Sequence, residues 1–200
     1  MYESITQHPL SKLARALCGL ILVGMGAYFV FGEDQAPAKQ SPKTLEEFAA
    51  QKNMGTLSYS ADEAGKPVLV NTFTVARGTY EAMDHAKNFL SGLQEAHLHV
   101  VDGKVVRFVA QTPLVDRLGH ETSAPVLQFE FDLQEMQTAN YKNLGALSMA
   151  RQVKDVEVLH PAITEDIVQF CNEIPQQVKV SFCFLSAFSL VQKHWVPQEG

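Results

Sequence analysis

The residues of this chain best suited to chemistry are its seven histidines and three cysteines. His97 and His99 form the sharpest pairing. In an extended segment residues two apart share a face, so both imidazoles would point the same way and could ligate zinc, copper or nickel. Two donors do not complete a site, and His85 or His120 would have to be brought near by the fold. The plainer reading is a strand whose solvent face carries histidines beside Arg107, and a third is a contact surface that responds to pH. Cys171 and Cys183 would form one disulfide if their domain faces an oxidising compartment and would otherwise be two buried thiols. No Cys-x-x-Cys is present, which argues against dithiol exchange.

Acid/base chemistry could be sketched from His120 with Glu121 or from Asp116 with Arg117, but adjacency in sequence seldom makes a catalytic pair. The chain has no G-x-S-x-G elbow, P-loop, dinucleotide fingerprint, H-E-x-x-H or calcium loop. A non-catalytic role is therefore expected and no cofactor is implied. A ligand-binding protein, or a small enzyme whose site leaves no local signature, stays open as the alternative. The formal net charge is −6 and there is no basic tract, a balance that disfavours nucleic acid as a partner.

Those side chains must be held by elements, and the pattern predicts a mixed, mostly antiparallel sheet with helices packed on it, an α+β domain over residues 43–200. A helix is expected from Pro42 to near Gly55, then a hairpin of Thr56–Ser60 with Pro67–Ala76. A second helix follows Thr79, with Tyr80, Met83, Ala86, Phe89, Leu90 and Leu93 at three- and four-residue spacing. Ala96–Val101 and Lys104–Ala110 read as two strands of a hairpin about Asp102-Gly103. Gln111–Pro125, polar and with two prolines, reads as the longest loop. Val126–Asp132 alternates as a half-buried strand. Leu133–Met149 reads as interrupted helix, Val153–Leu159 as a strand, and Pro161 opens another helix. The run Val178–Val191 reads as a buried strand with its following turn.

Ala16 to Gly32 is a run of seventeen uncharged residues. As a helix it would span about 25 Å, near the lower limit for a hydrocarbon core of about 30 Å. It suggests a single N-terminal transmembrane helix at 16–32, with a cytoplasmic stub at 1–15 and a linker at 33–42; a cleaved signal peptide and a docking helix are the alternatives. On that reading residues 43–200 form an extracytoplasmic domain, periplasmic if the source is bacterial. The expected role is then a single-pass structural or assembly component of a cell-envelope complex. Its partners would be the membrane and other membrane or envelope proteins, with a homo-oligomer as one option. Gly19, Gly24 and Gly26 would leave room for helix contact, and Leu114, Val115 and Trp195 are the candidate interface anchors.

Overall fold

The computed structural model describes residues 44–76, 78–98, 104–175 and 179–193. All of them fall in one unit, Ser41–Gly200. The first helix, α1 (Leu45–Lys52), starts where the Thr44 hydroxyl accepts the Glu47 amide hydrogen, and it ends on Asn53 in the left-handed conformation (φ 53°). Five strands follow in an unbroken order β1-β2-β3-β4-β5: β1 (Thr56–Ala61), β2 (Pro67–Thr74), β3 (Val105–Val115), β4 (Glu121–Asp132) and β5 (Asp155–Val158). All neighbours are antiparallel except β2 and β3, which run parallel through the crossover helix α2 (Thr79–Glu95).

Alternation in the strands decides which side becomes the core. Leu69, Asn71 and Phe73 of β2, Val106, Phe108 and Ala110 of β3, and Leu127, Phe129 and Phe131 of β4 are all buried on the side that α2 covers. Phe108 is the centre of this layer, with the rings of Phe73, Phe89, Phe129 and Phe131 all within 6.3 Å of its own. A bulge where β3 passes from Ala110 to Gln111 lets β4 insert one extra residue, so that Val126 and Leu127 are both fully buried.

Short helices α3 (Leu133–Met136) and α4 (Ala146–Ala150), with a 3-10 turn between them, lead into β5. Helices α5 (Thr164–Asn172) and α6 (Ser181–Gln192) close the layer. Helix α2 begins at Gly78, which has no side chain to cap it. Asp166 of α5 takes that role from a distance, its carboxylate accepting both the amide and the hydroxyl hydrogen of Thr79.

Four expectations are corrected. The hairpin of Ala96–Val101 with Lys104–Ala110 does not form, because β2 occupies one side of β3 and β4 the other. Ala96 and His97 instead finish α2: the Leu98 amide reaches back to the Leu93 carbonyl, and His97 takes the left-handed conformation (φ 53°). Gln111–Pro125 is no loop. It is the outer half of the β3–β4 hairpin, and β2 ends opposite Gln111, so beyond that point the two strands project as a ribbon. Val178–Val191 gives a helix from Ser181 rather than a strand.

The fourth correction is the membrane span. Among the described residues no helix is long and apolar enough to cross a membrane. Helix α2 has one polar side, and uncharged α6, with 12 residues, reaches only about 18 Å. Residues 16–32, like the stub 1–15 and the linker 33–42, lie outside the described residues. The single-pass topology, the inner-membrane and periplasmic placement, the membrane and envelope partners or homo-oligomer, and the envelope-assembly role all depended on that span. None of them has structural support.

Candidate protein-recognition site

Of the residues singled out for chemistry, Cys171 meets Cys183 and Asp116 meets His120, while His85, His97 and His120 stand at separate places: within α2, at its end, and in the turn between β3 and β4. His97 sits at the end of α2, on the rim of an apolar cavity of about 230 Å³ lined by Leu90, Leu93, Leu133, Met136 and Tyr141. Its intended partner His99 lies outside the described residues. Burial holds the Tyr141 hydroxyl well above its usual pKa, and it donates to the Met136 carbonyl at 2.8 Å. Among the described residues no group of three or more His, Cys, Asp or Glu could hold a metal ion.

His85 faces the sheet and stacks on Phe73 with ring centroids 3.7 Å apart. Its Nε2 lies 2.9 Å from Asn71 Oδ1, and the Asn71 amide nitrogen donates to the Met54 carbonyl at 2.7 Å. With that nitrogen committed as donor, Oδ1 must accept, so Nε2 carries the proton. Burial pushes the His85 pKa down to about 4, against the opposing pull of the Glu81 charge. The ring is a neutral structural group.

His120 and Asp116 do meet, Nδ1 to Oδ2 at 3.0 Å, but at the exposed tip of the ribbon. Asp116 there also accepts the amide hydrogens of His120 (2.9 Å) and Leu118 (2.7 Å), and the bonds from His120, backbone and ring, with that from Leu118 hold its carboxyl below the usual range. The pair closes a turn. Leu114 and Val115 lie on the same ribbon, beside Leu118, which is 81% exposed. Gly19, Gly24, Gly26 and Trp195 lie outside the described residues.

Cys171 of α5 and Cys183 of α6 are joined by a disulfide with Cα atoms 5.8 Å apart. Closing a loop with a sequence separation of 12 is worth about 3 kcal/mol in the chain-entropy picture. The bond also fixes the position of α6, which carries the most distinctive surface among the described residues.

Helix α6 (SFCFLSAFSLVQ) contains no charged residue. Its inner side packs through Phe182, Ser186, Ser189 and Leu190. Its outer side presents Phe184, Phe188 and Val191, which are 74%, 56% and 59% exposed. Separations of four and three residues align them in one stripe. A helix apolar on both sides needs cover on both. Covered on one side only among the described residues, α6 leaves an apolar patch of the kind that marks interaction surfaces.

The stripe borders two depressions that share Leu185. One is lined by Arg151, Gln152, Lys154 and Phe184, the other by Asp155, Glu157, Phe188 and Gln192. Ser181 anchors this end of α6 by donating its hydroxyl to the Arg151 carbonyl at 3.1 Å. Lys154 is neutralised by Glu135 at 2.7 Å and Glu157 by Lys193 at 2.8 Å. Arg151 is exposed and forms no ion pair among the described residues. The arrangement is an apolar centre with a charged rim and the Arg151 cation at one end.

Sequence reasoning missed this surface by taking Val178–Val191 for a buried strand. The signal was present: Phe184, Phe188 and Val191 have helical spacing, and Ser181, Ser186 and Ser189 interrupt the alternation of a strand. No protein-family model, curated protein or solved structure matches the chain.

Proposed function

We propose that this domain is a non-catalytic recognition module that binds a partner polypeptide along α6. The observation that carries the reading is the stripe of Phe184, Phe188 and Val191, left exposed on a helix whose other side is packed into the core. The partner that fits is an amphipathic helical segment. Its apolar residues cover the stripe, and an acidic residue at one end meets Arg151. Covering an exposed phenylalanine is worth about 1.5–3 kcal/mol, enough for one or two such side chains to dominate a modest interface.

Selection of displayed helical peptides against the whole chain tests it. The expected peptides carry apolar residues at three- and four-residue spacing with Asp or Glu at one end. Phe188→Ser should weaken them at least tenfold and Arg151→Glu should weaken them further, while thermal stability stays near that of the unaltered protein. An unenriched library, or peptides indifferent to both substitutions, would overturn the proposal.

A further inference from the structure

Helix α6 is a weak helix by its own sequence. Serine, phenylalanine, cysteine and valine, none of them a strong helix former, make up eight of its twelve residues. No side chain caps its start, no acid stands in its first turn and no base in its last. At that length a helix is marginal on its own, so α6 depends on what it is fastened to. The fastenings cluster at its two ends. Toward its end the Ser189 hydroxyl accepts the outward Val158 amide at 2.9 Å, which closes the β5 edge, and Lys193 just beyond meets Glu157 at 2.8 Å. Toward its start the buried Phe182 ring meets Phe170 edge-on with centroids 5.6 Å apart, and Cys183 is bonded to Cys171 of α5. Between them the Ser186 hydroxyl turns back to the Cys183 carbonyl at 3.2 Å and keeps its donor within the helix.

Cys171 and Cys183 are both half-buried, so a small reductant can reach their bond without opening the core. The loop that the bond closes joins the end of α5 to the start of α6, and among the described residues it encloses no strand. We propose that this disulfide is a redox-controlled latch: its reduction by a dithiol releases α6 from the β5 edge while the sheet stays folded. A thiolate of the dithiol attacks one cysteine sulfur, the Cys171–Cys183 bond breaks and a mixed disulfide forms. The second thiolate of the dithiol then displaces the protein sulfur. The dithiol ends as its own disulfide, and the two electrons and two protons it gives up leave Cys171 and Cys183 as thiols. Phe182, Leu190 and single polar bonds then hold α6 against its poor helix propensity, whereas the sheet and α2 keep their contacts around Phe108. Release opens the Val158 amide to water and removes the fixed helix on which Phe184, Phe188 and Val191 are aligned. The latch itself is independent of what binds α6, and its effect on binding rests on the α6 reading above.

Hydrogen exchange of the whole chain, oxidised and after dithiothreitol, tests the latch. Reduction, checked by thiol titration, should speed exchange of the Val158 amide about a hundredfold, while the amides of residues 106–109 in β3 change by less than about threefold. Re-oxidation should restore the protection. The double variant Cys171→Ser with Cys183→Ser should exchange fast at Val158 with or without dithiothreitol. Three results would overturn the proposal: a bond that excess dithiothreitol leaves intact in the folded protein, unchanged Val158 protection after complete reduction, or equal acceleration at Val158 and in β3. The last, like unfolding of the reduced protein, would make the bond a staple of the whole fold. A helical peptide selected on the oxidised chain should bind at least tenfold more weakly after reduction, and equal affinity for both forms would overturn release of α6. A library that yields no peptide, with Val158 still following the redox state, would overturn the α6 reading and uphold the latch.

Discussion

His85 takes its character from position alone. An ordinary histidine in the unfolded chain has a pKa near 6.5, while in the folded protein burial lowers it to about 4. As pH falls, the unfolded chain therefore takes up this proton first. The stability that comes from keeping the ring neutral is complete above about pH 6.5 and is lost progressively down to about pH 4, to a total of at most about 3 kcal/mol. Urea unfolding at pH 7 and pH 4.5 should show that loss, and His85→Gln should remove this part of the slope. An equal slope in the variant would place the acid sensitivity elsewhere. None of this could be read from the sequence, where His85 had no distinguishing neighbour. Its partner Asn71 is 17 positions from the Met54 carbonyl that fixes its orientation. The more conspicuous His97 was misread because alternation with His99 resembles a strand, while its actual conformation is set by the end of α2.

Helices and strands with strong local patterning were legible, and those decided by competition for partners were not. The β1–β2 hairpin, α2 and the inner half of β4 follow from spacing. The ribbon does not, because its two prolines suggest a loop until the pairing shows where hydrogen bonds are absent. The packing of α1 on α2 gives a clear measure of how tightly such elements meet. A methyl group added at Gly92 would lie 2.5 Å from Cζ of Phe48, whose ring is fully buried. Two effects oppose each other in Gly92→Ala: alanine favours the helix by about 1 kcal/mol, whereas overpacking costs about 1–3 kcal/mol. The buried ring has little room to retreat, so overpacking wins, and chemical denaturation should show a net loss of up to about 2 kcal/mol. A more stable variant would mean that α1 moves freely on α2.

At the scale of the whole molecule, the parallel β2–β3 pair joins two parts that are each contiguous in sequence: the β1–β2 hairpin and the β3–β4–β5 meander. The hairpin contacts of β1 with β2 and of β3 with β4 close short loops, while the seam between the two parts closes only when α2 has crossed over. That difference sets an order of events during folding. The slow step is formation of the seam, so weakening it should slow folding, whereas weakening β1 should mainly hasten unfolding. Stopped-flow kinetics of Val109→Ala, opposite Thr72 across the seam, and of Leu57→Ala in β1 would separate the two. Equal partition in both variants would rule out this order. The same arrangement means that a nascent chain can complete its first hairpin early, yet holds an open edge along β2 until β3 has been synthesised.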